Sequence, residues 1–289
     1  MAPLMLLAMA FAPARSETGM SASMMIPAFL FYVILAVWLI WLGIGSTICR
    51  RWARSILLVT SWIALVFGVG GGIFWLRFSP QLYSEMAQQG EMPAGAMGAM
   101  RMVSTVIMAV IYVIAPTVMV LFYGNRHVRA TCEARDPKSR WTDRCPPQVL
   151  ALSFLFLFLG ISMLSTSTYN FTMLFFGQIV TGGVGALVAL SITVLALWTA
   201  WGLFKLRMTA WWTGLIVATG LTVNGVVTVL RGSMMDYYEQ LGFPQEQMDL
   251  FRAMNMELDS TIIVYMGVWI LGLLGYMIYT RRYMRPSTR

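Results

Sequence analysis

Long charge-free apolar runs, separated by short polar stretches, dominate the chain. Seven stand out: Met25 to Ile48, Ser55 to Leu76, Met102 to Tyr123, Val149 to Ser165, Phe175 to Phe204, Trp211 to Leu230 and Thr261 to Tyr279. A run of roughly 18 or more apolar residues predicts a membrane helix, because ~20 residues at 1.5 Å rise cross the hydrocarbon of a bilayer. The fourth run is the shortest and the fifth the longest, so their ends are the least sharply marked. The pattern predicts an all-α integral membrane protein with seven spanning helices.

Turn residues refine these elements. Proline is favoured in the first helical turn, so Pro93 predicts a third helix that begins well outside the bilayer and continues into Met102 to Tyr123. Gly242-Phe243-Pro244 opens a comparable stretch, in which Phe243, Leu250, Phe251, Met254 and Leu258 recur at helical spacing. Pro116 predicts a kink, which membrane helices tolerate when neighbours satisfy the freed carbonyl. Gly68, Gly70, Gly71 and Gly72 in the second run predict a face for close helix packing. They do not form a phosphate-binding loop, since no strand precedes them and no Gly-Lys-Ser/Thr follows.

The polar junctions repeat. Arg77 to Glu85, RFSPQLYSE, shares its Arg, Ser, Tyr and Glu with Arg231 to Glu239, RGSMMDYYE. The match extends to Val69, Gly71 and Leu76 against Val223, Gly225 and Leu230, which sets Asn224 opposite Gly70. Met100, Ser104, Thr105, Ile107, Ile114, Tyr123 and Arg126 likewise match Met256, Ser260, Thr261, Ile263, Ile270, Tyr279 and Arg282 without a gap. Spans two and three therefore correspond to spans six and seven. Trp38 and Trp41 against Trp198 and Trp201 loosely pair span one with span five.

An odd helix between three-helix units leaves both copies in the same orientation, a parallel repeat about the membrane normal. The expected organisation is an N-terminal tail (1–24), repeat one (25–126), an inner loop with linker helix (127–172) and repeat two (173–289). This 3+1+3 layout resembles that of the sugar-transporting SWEET proteins in topology alone. Their Pro-Gln pair in the first helix of each unit has no counterpart, because Pro80-Gln81, Pro147-Gln148 and Pro244-Gln245 fall outside the spans.

The net charge of +8 sorts by side. Arg50, Arg51, Arg54, Arg126, Arg129, Arg135, Lys138, Arg140, Arg144, Lys205, Arg207, Arg281, Arg282, Arg285 and Arg289 share one side with only Glu133, Asp136 and Asp143. The other side holds Arg15, Arg77, Arg101, Arg231 and Arg252 with all the remaining acids. The positive-inside rule then puts the N-terminus outside and the C-terminus in the cytoplasm or its equivalent, in a plasma, inner or organelle membrane. The lipid bilayer accounts for the basicity, and nucleic acid is not an expected partner. Met1 to Pro13 is apolar but too short to span, and with Ala14-Arg15-Ser16-Glu17 it fits either a signal peptide lacking a basic start or an interfacial tail.

Candidate chemistry is sparse. Cys49, Cys132 and Cys145 fall on the inner side, where a reducing compartment disfavours disulfides. Cys132 and Cys145 with His127 lack paired Cys-x-x-Cys spacing and a fourth ligand, so no metal site is expected. Outer methionines such as Met86, Met92, Met97, Met234, Met235 and Met248 suit Cu(I), although Met is also a common gap-filler. Asn170-Phe171-Thr172 is a glycosylation pattern on the outer side.

No Asp, Glu, His or Lys lies within a span, which leaves ion-coupled transport, a retinal Schiff base and paired haem ligands without candidates. No catalytic residue and no cofactor is expected, so the chain does not read as an enzyme. Arg77, Tyr83 and Glu85 with Arg231, Tyr237 and Glu239 are the candidate ligand-binding set, since two guanidinium forks across a pseudo-twofold axis can bind a carboxylate or phosphate. The competing use is snorkelling and interfacial anchoring. Asn224 is the polar group placed to line a solute path. Two functions follow: a passive carrier or channel for a small solute with an arginine-lined outer mouth, or a non-catalytic accessory or scaffold subunit. For the second, the partners are other membrane subunits or further copies of this chain.

Overall fold

The computed structural model describes residues 22–88, 94–138, 141–231, 234–241, 248 and 260–284. The regular structure of the described residues is helical apart from one hairpin. Its elements are α1 (Ala22–Thr47), α2 (Arg51–Gln88), α3 (Ala94–Ala109), a π-helical turn (Val110–Ile114), α4 (Ala115–Gly124), α5 (Arg126–Arg135), α6 (Pro147–Ser165), β1 (Met173–Phe175), β2 (Gln178–Val180), α7 (Gly182–Phe204), α8 (Met208–Arg231), α9 (Met234–Gln240) and α10 (Ser260–Thr280). Among the described residues, five helical stretches are long and apolar enough to cross a bilayer: Arg51–Ser84, Gly95–Gly124, Pro147–Ser165, Gly182–Phe204 and Met208–Arg231. Helices α1 and α10 coincide with the first and last expected spans.

Three expectations are revised. The fifth run does not start a helix at Phe175; residues 173–180 form an antiparallel hairpin with Phe175 opposite Gln178, and α7 begins at Gly182. The cause is local. Phe176 and Gly177 both have positive φ, 51° and 80°, the two-residue primed turn that follows the twist of paired strands and that a right-handed helix cannot contain. The inner loop after Tyr123 is not only turns: α5 folds there, with the Asn125 side chain capping the His127 N–H. The segment after Arg77 stays helical through Pro80 to Gln88, so α2 is 38 residues, ~57 Å at the helical rise, and projects far beyond the hydrocarbon. The third helix is described from Ala94 and runs to Gly124, and the start expected at Pro93 lies outside the described residues. The tail up to residue 21 lies outside the described residues, as does the segment opened by Pro244 apart from the buried Met248.

Pro116 does not merely bend its helix. It lacks an N–H, so the carbonyls one turn earlier lose a partner, and the backbone widens into the π turn, where the Ala115 N–H reaches Val110 O. The Tyr112 carbonyl thereby faces Gly68 of α2, at a point where any side chain on residue 68 would collide with it. Farther out, Trp75 Nε1 donates to Thr105 Oγ1 at 3.0 Å and the Tyr83 and Ser104 hydroxyls share a hydrogen bond of 3.1 Å. Helices α2 and α3–α4 therefore pack antiparallel along their whole length. Ser79, Tyr83 and Met97 are buried at the end of this pair remote from Arg51.

The main core sits elsewhere. Val149, Leu150, Leu152 and Phe156 of α6, Ala196, Ala200 and Leu203 of α7, Ala210, Trp211 and Val217 of α8, and Met277 of α10 form one buried cluster. The fourth span, expected as a linker, is thus a central packing element. Small residues permit the approach: Gly202 lies against Ala210, and Gly160 against Leu197. Ser153 donates to the Ala200 carbonyl at 2.7 Å, Thr193 to the Gly160 carbonyl at 3.3 Å, and Trp211 Nε1 to the Met277 carbonyl at 2.9 Å. In lipid, where apolar burial drives little association, such close packing and interhelical hydrogen bonding hold helices together.

Candidate functional site

The residues singled out by the repeat fall into different surroundings. Arg77 is exposed on the continuous helix α2, with its guanidinium 5.8 Å from the Phe78 ring centre. Arg231 is exposed too, but it is the last residue of α8. Tyr83 is buried and bonded to Ser104. Its counterpart Tyr237, on the short helix α9, instead donates a long 3.5 Å bond to the Thr172 carbonyl, and burial raises its phenol above the usual tyrosine range. Glu239 is exposed on α9. The side chain of Glu85 lies outside the described residues. The two copies of the motif therefore share spacing, while their tyrosines take unlike partners.

Asn224 and its repeat partner Gly70 also differ. Gly70 lies under the Trp269 ring and close to the Tyr265 hydroxyl, so α10 presses onto α2 there; Phe67 stacks on Trp269 at 5.0 Å. Asn224 turns instead to the hairpin. Its Oδ1 accepts the Phe176 N–H at 2.7 Å and its Nδ2 donates to the Leu174 carbonyl at 3.4 Å. One turn along α8, Thr228 Oγ1 accepts the Gly177 N–H at 3.2 Å. Both outward-facing N–H groups of the tight turn are thus held by side chains four residues apart on one helix face.

The same outer loop contains two further left-handed residues, Asn170 and Phe171, with φ of 53° and 55°. The Gly182 N–H closes it by donating to the Asn170 carbonyl at 2.8 Å. The Phe171 carbonyl fits over Gly185, where a side chain would displace it. Thr172, the hydroxyl residue of the glycosylation pattern, is buried. This clamp was not anticipated from the sequence. Its signal was a glycine at the second position of a two-residue turn between two short strand-like triplets, Met173-Leu174-Phe175 and Gln178-Ile179-Val180.

A second polar constellation lies at the opposite, basic end. Arg51 begins α2 and reaches Asp143 at 3.5 Å and Glu133 at 3.6 Å. Arg129 Nε donates to Glu133 Oε1 at 2.8 Å across one turn of α5, and this bond holds the Glu133 carboxyl below its ordinary range. Arg50 approaches the buried Asp136 at 3.9 Å. Cys132, one turn before Asp136, is buried; burial raises its thiol, and the neighbouring Cys49 adds to the effect. Burial alone pushes Cys145 up to about 12. The i,i+4 spacing of Arg129 and Glu133 was the only sequence signal for this cluster.

The two best-formed depressions among the described residues both involve the basic side. One, about 190 Å³, is lined by Trp198, Trp201, Gly202, Arg207, Thr209 and Ala210. The other, about 180 Å³, lies among Arg51, Arg54, Arg129, Cys132, Glu133 and Asp143. Arg77, Arg231 and Asn224 border neither. The apolar helices and their interhelical polar bonds are those of an integral membrane protein of the helical class. Comparison of the chain with models of protein families, with characterised proteins and with solved structures finds no match.

Proposed function

We propose that the protein is a non-catalytic, multi-helix membrane subunit that offers its spanning helices to other subunits or to a second copy of itself. The reading keeps the seven spans and the N-out, C-in orientation expected from the charge distribution. The observation that carries it is the third span. Gly95–Gly124 is the most apolar of the five spanning stretches, yet only 6% of its apolar window is buried within the chain, against 39% for Pro147–Ser165 and Gly182–Phe204.

Glycine placement supports the same reading. Gly71, Gly98, Gly220, Gly267 and Gly272 each have open space where a side chain would stand. Glycine in a helix interior is about 1 kcal/mol less favourable than alanine, and in membranes it is enriched where another helix backbone comes close. A solute path finds less support, because both ends of the Asn224 amide are committed to the hairpin.

The test uses the full chain extracted into lipid nanodiscs directly from its membrane, with mass measured by native mass spectrometry, and parallel flux of small solutes into proteoliposomes. A particle heavier than one chain, reduced to a single chain by Gly98→Leu with the unfolding midpoint unchanged, is the expected outcome. Single-chain particles that admit solute, with flux abolished by Arg77→Ala and Arg231→Ala, would replace the subunit reading with a carrier.

A further inference from the structure

The depression at the basic end contains an arginine left over by its ion pairs. Glu133 is engaged by Arg129 at 2.8 Å and by Arg51 at 3.6 Å, and Asp143 is engaged by Arg51 at 3.5 Å. Arg54, one turn farther along α2, borders the same depression with no carboxylate of a described residue within salt-bridge distance. Its Nε is buried and has no hydrogen-bond partner among the described residues. A guanidinium is always charged and directs its donors as a rigid fork matched to the oxygens of a carboxylate or phosphate. The Nε itself is covered by protein, so an oxyanion in the depression meets the remaining guanidinium donors and supplies the countercharge that no described carboxylate brings within salt-bridge distance.

The balance of the site agrees. Three arginines line it against two carboxylates, so it keeps one positive charge after internal pairing. The depression is shallow and open to its surroundings, so an oxyanion would rest on it and keep part of its hydration. It lies beside the first residues of α2, where the apolar stretch Arg51–Ser84 begins, a place at which basic residues meet lipid headgroups in membrane helices. We infer that Arg54, supported by Arg51 and Arg129, forms a phosphate-binding site that takes either the headgroup phosphate of an anionic lipid or free inorganic phosphate. Glu133 and Asp143 compete with the anion for Arg51 and Arg129, and they limit the affinity.

The test is made on the full chain in two arms. In detergent, the unfolding midpoint is followed while inorganic phosphate is titrated against chloride at constant ionic strength. In nanodiscs, retention of phosphatidic acid or phosphatidylglycerol against phosphatidylcholine is read by native mass spectrometry. A saturable rise of the midpoint with phosphate assigns the site to the free ion. Retention of one anionic lipid per chain with no response to inorganic phosphate assigns it to the headgroup.

In either case Arg54→Gln is expected to weaken binding about tenfold or more. Arg54→Lys, which keeps the charge but not the fork, should lose less, and Asp143→Asn, which removes a competing carboxylate, should bind more tightly. The Arg54→Lys and Asp143→Asn comparisons stand even where Arg54→Gln does not fold. Wild-type protein indifferent to both probes, or an Asp143→Asn protein that binds them more weakly than wild type, overturns the assignment.

Discussion

The Asn224 side-chain carbonyl accepts the Phe176 N–H at 2.7 Å, fastening the turn of the outer hairpin to the face of α8. Phe176 is held at a φ of 51° that phenylalanine adopts only at a cost, and the bond from Asn224 helps to fix it there. An asparagine in a membrane helix serves here as a cap for a loop. Gly70, which the sequence match sets opposite it, has different surroundings, under the Trp269 ring.

Asn224→Leu should lower the unfolding midpoint in detergent by the equivalent of about 1–3 kcal/mol, because it leaves a turn N–H without an acceptor. Thr228→Val should cost less, since its bond is longer, 3.2 Å. Phe176→Asn should move the midpoint the other way by up to about 1 kcal/mol, as asparagine tolerates the left-handed region and is favoured in this turn. A stabilised Asn224→Leu protein would show that the clamp is not formed.

Gly68 and Gly71 lie on the same helix and predict opposite outcomes. Gly68→Ala should destabilise by about 1–3 kcal/mol, since the new methyl meets the Tyr112 carbonyl across two packed backbones. Gly71→Ala has nothing within 4 Å of its new methyl group and should be neutral or slightly stabilising in isolated chains. Thermal unfolding of the two variants side by side checks the register of α2 against the π turn.

Cysteine labelling reads the inner end. The thiolate is the nucleophile, and a Cys145 thiol at about 12 is ionised in only about one molecule in ten thousand at pH 8. Buried Cys132 is protected as well, whereas Cys49 is only partly covered. A small maleimide should modify one cysteine, Cys49, in the folded protein and all three after unfolding. Mass spectrometry of the labelled chain decides this.

Glu133 gives a pH dependence. Its carboxyl is held low chiefly by the hydrogen bond from Arg129, so the ionised form is favoured in the folded chain. The resulting stabilisation is complete above the ordinary glutamate value of about 4.3 and is lost as pH falls through the lowered folded value. The difference in unfolding midpoint between wild type and Glu133→Gln should be constant from pH 8 to about pH 5 and shrink below about pH 4. A difference that widens on acidification would contradict the assigned pairing.

The sequence by itself determined the membrane class, the ends of most helices and the segregation of basic residues toward one end. These depend on local quantities: length of an apolar run, charge at its ends, proline at a helix start. Pro116 was legible as a disturbance for the same reason, and Phe175–Phe204 was misread because an apolar strand and an apolar helix look alike over six or seven residues. Tertiary structure alone decided that the Tyr112 carbonyl meets Gly68, that the fourth span lies in the core, and that Tyr83 and Tyr237 bond unlike partners. It also decided that Asn224 holds a turn and that Arg54 has no carboxylate of a described residue within salt-bridge distance. Each of these depends on which groups from distant parts of the chain approach within bonding distance, and in a bilayer that choice is made by side-chain shape and polar satisfaction between helices, which hydrophobic periodicity does not encode.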